Sequence, residues 1–351
     1  MSEPDTSSSP AAVRRHGRRR TASGPRRALA VIGVLALVLV GGAAGAAWWL
    51  KGSIGSVGDP FAQIDESTRP QVAAGDEAVN FLVLGSDSRI SAGDPSQWEA
   101  GAQRTDAIML VHLAGDGRSA QVVSIPRDSW VPIPGHGEAK INAAFSYGGP
   151  ALMIETVEQL TGVRIHHFAV TDFDSFVRMT DALGGVEITV PEDVSDGGEV
   201  SFTAGTHLMD GQEALAYARQ RHGLAGGDFD RVQRQQNWMR AIMAKVNDNR
   251  SDVGMMTGFV RTVSQSVATD DGLNLSTMTD LFMGARGLGA DDVTFLTAPY
   301  SGTGRSDDGQ SIVVLDRARF DPLMAAIAED RSAQYVADNA ENLEVLGSTV
   351  R

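Results

Sequence analysis

A mixed central β-sheet flanked by helices, preceded by one membrane-spanning helix, is the fold class that this 351-residue sequence predicts. Three observations predict it. Short apolar runs of strand length alternate with segments of helical period from Val79 to about Asp330. A run of 23 uncharged residues, Ala28 to Leu50, stands ahead of them. Cysteine is absent, so neither disulfides nor thiolate-bound metals substitute for a hydrophobic core.

The N-terminal elements follow from charge and length. Residues 1–27 hold seven Arg against two acids, with Ser, Pro and Gly between them. Such a segment cannot bury a core and is expected as a disordered basic tail. The uncharged run 28–50 would span roughly 30 Å of hydrocarbon as a helix. Trp48 and Trp49 stand where an interfacial aromatic belt would lie, and Lys51 closes the run. A cleaved signal peptide is the alternative, but its apolar region would be only about 7–15 residues. Arginine before the span places the N-terminus in the cytoplasm and the rest outside the cell membrane, on a single-pass anchor. The outer part then holds 22 basic and 42 acidic residues, a net charge of −20. That charge argues against nucleic acid as a partner.

Residues 51–78 read as a polar, Gly-containing linker with no clear period. The outer domain is expected over 79–330. "VNFLVLGSDSR", "DAIMLVHL" and "SAQVVSIPRD" predict three buried strands that end in polar clusters. "GPALMIETVEQLTG" predicts a helix with a closing Gly, "IHHFAVTD" a strand, "FDSFVRMTDALGG" a helix and "VEITVP" a strand. In "MDGQEALAYARQR" Asp210 and Glu213 have the spacing of a reciprocal helix cap. "DFDRVQRQQNWMRAIMAKV" predicts a longer helix with acids in its first turn. "DDVTFLTAP" and "GQSIVVLD" predict strands and "ARFDPLMAAIAED" a last helix, with a loosely ordered tail over 331–351.

Candidate chemistry collects at the strand ends, where ligands of α/β sheets gather. Asp87 and Arg89 follow the first strand, Arg104 and Asp106 open the second, and Arg127 and Asp128 follow the third. Asp87 and Asp106 abut two core strands and have the hard oxygens that suit Mg²⁺. Helix capping, or salt bridges to Arg89 or Arg104, is the alternative. A second cluster lies in "ARQRHGLAGGDFDRVQRQQNW", with Arg219, Arg221, Arg231 and Arg234. Arg231 and Gln235 are four apart and share a helix face, with Arg234 and Trp238 beside it, while Val232, Met239 and Met243 would pack inward. Two helix ends and a Gly-rich loop would bring several guanidinium forks to one anion. A solvated, ion-paired surface is the alternative, since Asp228 and Asp230 are close in sequence. His166–His167 reads as a strand start rather than a ligand pair. Leu152, Val157, Leu160, Phe173, Phe176 and Val177 read as core rather than as a lipid pocket. No Ser-His-Asp set, phosphate-binding loop or dinucleotide fingerprint is present.

Taken in order, "FLVLGSDSR", "RTDAIML", "VVSIPRD", "KINAAFSYGGP", "LTGVRIHHFAV", "DALGGVEITVP" and "DGQEALAYARQRHGLAGGDFDRVQRQQ" resemble the LytR-CpsA-Psr (LCP) family. The resemblance covers Val79 to Val246 and extends more weakly to about Asp330. It implies an LCP-type fold. It also implies a membrane-anchored glycopolymer ligase that moves a glycan, with its phosphate, from a polyprenyl-pyrophosphate carrier to peptidoglycan. Asp87 and Asp106 would hold Mg²⁺. Arg127, Arg219, Arg221, Arg231 and Gln235 would grip the pyrophosphate, and Arg89 and Arg104, at the strand ends, are further candidates to bind it. The family's lipid pocket raises the claim of the middle helices to that role without naming the residues. The insert between Arg89 and Arg104 departs from the pattern, as a lid or as a longer loop. The rival readings are a binding or regulatory module without turnover and a lipid-pyrophosphate phosphatase.

Overall fold

The computed structural model describes residues 55–72, 77–86, 105–196, 199–219, 228–249, 251–285, 288 and 292–346. The expected tail 1–27 and membrane span 28–50 lie outside them, and among the described residues no helix is long and apolar enough to cross a membrane.

The first half of the chain gives β1 (Gly55–Ser56), β2 (Val79–Ser86), β3 (Thr105–Leu113), β4 (Ala120–Ser124), β5 (Trp130–Ile133), β6 (Gly137–Lys140), α1 (Asn142–Thr161) and β7 (His167–Asp172). Then come α2 (Phe173–Ala182), β8 (Val186–Val190), β9 (Val194–Asp196), β10 (Glu199–Phe202), β11 (Gly205–Met209), α3 (Gly211–Arg219) and α4 (Asp228–Asn249). The last part holds α5 (Val253–Ser264), β12 (Val267–Thr269), α6 (Leu275–Ala285), β13 (Val293–Thr297), β14 (Tyr300–Arg305), β15 (Ser311–Leu315), α7 (Arg317–Ala328), α8 (Ser332–Asp338) and β16 (Glu344–Val345).

Eight strands form the predicted central sheet, in the order β1-β12-β7-β2-β3-β4-β13-β16. It is mixed. β2 pairs with β7 in parallel and with β3 antiparallel, β3 pairs with β4 antiparallel, and β4 with β13 in parallel. So β2, β4, β7 and β13 run one way, and β3 runs back between β2 and β4. Side chains alternate across a strand, which splits the core in two. Phe81, Val83, Met109 and Val111 face one cluster, built with α2 to α6. Leu82, Leu84, Ile108 and Leu110 face the other, built with α1 and α7. Each fully buried aliphatic or Phe side chain contributes roughly 1.5–3 kcal/mol.

Caps and close contacts fix the helices. Asp210 Oδ1 accepts from the Glu213 N–H at 2.9 Å and Glu213 Oε2 from the Asp210 N–H at 3.0 Å, the reciprocal cap that the spacing predicts. A Cβ on Gly211 would lie 2.4 Å from the Val177 carbonyl oxygen, so only glycine lets α3 start against α2. α1 ends at Gly162 in the left-handed conformation, as its closing Gly predicts. It also bends where Gly149 has φ 66°, with Pro150 restarting the helix.

Two expectations are corrected. Residues 55–69 are not a free linker. β1 pairs with β12, Asp59 and Asp65 cap two short 3-10 helices, and Arg69 enters the core. Arg69 donates to both Glu158 oxygens, at 2.7 and 3.0 Å, and to the Ile165 carbonyl at 2.6 Å. Glu158 also accepts from the Ile165 N–H at 2.8 Å and is only 2% exposed. The tail after Ser332 is not loose either. α8 buries Ser332 against Gln121, and β16 adds a strand to β13. Polar segments of this kind look like linkers in sequence because their burial depends on distant partners.

Removing Glu158 leaves the buried Arg69 guanidinium with only the exposed Glu66, at 3.5 Å, and the Ile165 carbonyl. Glu158→Ala is expected to cost about 3–5 kcal/mol in urea denaturation. A double Arg69→Met, Glu158→Leu variant should recover much of that loss.

At the same end of the sheet the buried His112 places Nδ1 2.7 Å from Asn80 Oδ1 and Nε2 3.0 Å from Asp330 Oδ1. The His112 hydrogen bond, aided by the Gly115 N–H, holds the Asp330 carboxyl below its ordinary value, while burial pushes the other way. A depressed carboxyl stabilises the fold above the unfolded value of about 3.9 and loses that contribution as pH falls through the folded one. Asp330→Asn, which tolerates the φ of 51° at this position, should flatten the fall of the urea midpoint below about pH 4. An unchanged acid limb would contradict this.

Candidate active site at one edge of the sheet

Because β2, β4, β7 and β13 share a direction, their C-terminal ends lie along one edge, where the antiparallel β3 begins. Ser86 closes β2 and is paired with Thr105, which opens β3. Asp87 follows Ser86 in the chain and lies outside the described residues, as do Arg89, Arg104, Arg221 and the insert 90–103. Asp106 is therefore the described member of the expected carboxylate pair. Its carboxylate is half-buried and forms an ion pair with the guanidinium of Arg127, which follows β4.

The segment that presents Arg127 is held by its own backbone. The Ile125 N–H donates to the Ile108 carbonyl at 2.8 Å, which extends the β3–β4 pairing by one residue. The Ser129 N–H turns back onto the Pro126 carbonyl at 2.9 Å. The Arg127 carbonyl accepts from the Asn142 N–H at the start of α1 at 3.2 Å, and the Asp128 carbonyl from the Val313 N–H of β15 at 2.8 Å. Lys140 at the end of β6 reaches Asp128 Oδ1 at 3.1 Å. With its carbonyls taken by separate elements, the "SIPRD" turn is a rigid mount for Arg127.

The helices that carry the second cluster, α3 and α4, pack on the side of α2 to α6. Arg219 is the exposed last residue of α3, and Arg231 is the fourth residue of α4. Gln235 is half-buried on α4. The neighbouring Gln236, which the sequence did not single out, ties α4 to the sheet edge. Its Nε2 donates to Ser124 Oγ at 2.8 Å and to the Leu296 carbonyl at 2.9 Å. Ser124 ends β4 and Leu296 is near the end of β13, so this half of α4 crosses the edge that holds Asp106 and Arg127.

Arg234 differs from the expectation of a surface arginine. It is 1% exposed, and its guanidinium carbon lies 4.8 Å from the centre of the Tyr217 ring. Burial raises the Tyr217 hydroxyl pKa, and the Arg234 charge acts against that rise. Trp238 is buried too, donating to Thr180 Oγ1 at 2.9 Å. α4 lies between the sheet and α3, so it buries more than one stripe. Arg234 thus supports α3 from below rather than reaching out to a ligand.

Other readings settle as structure. His167 starts β7, and His166 Nδ1 accepts from the Asn80 N–H at 2.9 Å. Val157, Leu160 and Val177 are buried in the two cores, while Leu152 and Phe176 are partly buried against them.

Asp106 carries hard oxygen donors, and the hydroxyl of its neighbour Thr105 is buried with no partner among the described residues. Such oxygens suit Mg²⁺, which takes one or two carboxylates and completes its shell with water and phosphate. Among the described residues no group of three or more His, Cys, Asp or Glu could hold a metal alone.

Known proteins resemble this chain in sequence and in fold. The chain is 30% identical over 317 residues to the cell wall biosynthesis protein LcpA of Corynebacterium glutamicum, covering 77% of this chain and 61% of that protein. It is 34% identical over 247 residues to the regulatory protein MsrR of Staphylococcus aureus, covering 68% of this chain and 71% of that one. Among solved structures, TagT bound to LI-WTA superposes with a TM-score of 0.57 at 29% identity, over 74% of this chain and 93% of that one. Residues 56–328 match the LytR_cpsA_psr family, and on that match the chain belongs to it.

Proposed function

We propose that the chain is a Mg²⁺-dependent phosphotransferase. It moves a glycopolymer, with its phosphate, from a polyprenyl-pyrophosphate carrier to peptidoglycan, on the outer side of the cell membrane to which residues 28–50 anchor it. One observation carries the reading above the others: Asp106 and Arg127, far apart in sequence, meet at the sheet edge that α4 crosses. Family membership and a solved relative bound to LI-WTA support it.

In this reading Asp106 and Asp87 hold Mg²⁺, which when bound neutralises pyrophosphate oxygens and stabilises the charge of the leaving phosphate. Arg127, fixed by its turn, presents a guanidinium fork to the same oxygens. Arg219, Arg221, Arg231 and Gln235 approach from α3, α4 and the segment between them. A hydroxyl of the peptidoglycan acceptor attacks the glycan-bearing phosphorus. The new O–P bond forms, the anhydride bond breaks, polyprenyl phosphate leaves with the bonding pair, and the hydroxyl proton is released to solvent. Little covalent work falls to the protein, so positioning and charge dominate. A net charge of −20 outside the anchor fits this chemistry, since a local cluster of cations then binds a dianion without making the whole surface attractive to polyanions. A second reading follows from MsrR being named a regulatory protein: the same site binds the lipid-linked precursor without turning it over.

The test uses the full chain in detergent with a lipid-pyrophosphate glycan and peptidoglycan fragments, following both lipid phosphate release and glycan attachment. Attachment should require Mg²⁺ and be lost with EDTA. Release without attachment would point to a hydrolase, and tight binding with neither product to the regulatory reading. Arg127→Ala and Arg219→Ala should each lower turnover on the order of 10²–10³-fold. Arg219→Ala should leave the thermal midpoint nearly unchanged, because Arg219 is exposed at a helix end. Wild-type turnover in that variant would remove Arg219 from the site.

A further inference from the structure

On the other side of Arg127 from α3 and α4 lies an open cleft of about 420 Å³. Arg127, Asp128, Lys140, Asn142, Tyr147 and Gln310 line it. It lies between the β5–β6 hairpin, the first turns of α1 and the turn from β14 to β15. These elements belong to the α1 and α7 side of the sheet, opposite the arginines of α3 and α4.

Three features describe its ligand. Tyr147 is 49% exposed at the rim, and His136 stacks on it with ring centres 4.8 Å apart and planes at 24°. A stacked, solvent-facing aromatic pair offers a flat apolar platform. The floor is charge-balanced, since Arg127 is paired with Asp106 and Lys140 with Asp128. Lys140 is neutralised by Asp128, and Arg127 is the cation that the cleft shares with the candidate active site. Its uncharged polar side chains, Asn142 and Gln310, are planar amides that suit hydroxyls and amides.

We infer that this cleft is a saccharide subsite for the acceptor glycan, with one sugar face on the Tyr147–His136 platform. This inference rests on the ligase reading for the identity of the glycan, though not for the binding itself. Arg127 is common to the cleft and to the candidate active site, so an acceptor held here has its attacking hydroxyl delivered toward the pyrophosphate from the face opposite the α3 and α4 arginines. Tyr147 and His136 are positioning residues in this scheme.

The full chain in detergent is titrated with a soluble tetrasaccharide cut from peptidoglycan, and binding is read by saturation-transfer NMR in the absence of donor. Tyr147→Ala and His136→Ala should each weaken binding about fivefold to tenfold, and Tyr147→Phe, which keeps the ring, by no more than about twofold. In turnover assays the acceptor KM should rise by the same factor with the donor KM unchanged. Binding that is unaffected in Tyr147→Ala, or absent in the wild type, would overturn the subsite. A rise in donor KM alone would assign the cleft to the donor glycan and likewise overturn it. Wild-type binding that is lost in Tyr147→Ala, in a protein that shows no turnover, would uphold the subsite and reject the ligase reading.

Discussion

β3 runs against both of its neighbours, and the candidate site depends on that reversal. It puts the start of β3 beside the ends of β2 and β4, so a carboxylate that opens one strand meets a guanidinium that closes another. Had β3 been parallel to β2 and β4, Asp106 and Arg127 would lie at opposite ends of the sheet. The short β3–β4 connection sets that direction, since a parallel pair would need a crossover of a dozen or more residues, and each central strand offers apolar residues to both faces. The site therefore rests on the most strongly buried part of the fold, and its geometry follows from packing far from the ligand.

Around that edge the two faces divide the work. The face that carries α2 to α6 brings the arginine-bearing helix ends and places Arg234 over Tyr217 beneath α3. The face that carries α1 and α7 brings the "SIPRD" mount, Lys140 and the aromatic platform. Arg127 stands between them. An ion pair at a half-buried edge has a smaller desolvation cost than one in the core, so Asp106 and Arg127 can exchange each other for a ligand. The Arg69–Glu158 pair, buried and saturated by backbone groups, cannot do so at comparable cost, and its role is to bind the segment before β2 onto α1.

The sequence by itself determined the local structure. Short apolar runs of strand length located β2, β3, β4 and β7, the Asp210–Glu213 spacing located the start of α3, and the closing Gly located the end of α1, because each signal is written within a few residues. It also marked Asp106, Arg127, Arg219 and Arg231 as the chemistry to explain. What only the tertiary structure decided is pairing across distance. Asp106 pairs with Arg127, Arg234 is buried, Gln236 is the tie to the sheet, and the segments around Arg69 and Ser332 are built into the fold. A polar residue looks the same in sequence whether its hydrogen bonds go to water or to a residue 89 or 211 positions away. The burial that distinguishes the two arises only when strands from distant parts of the chain close into one sheet.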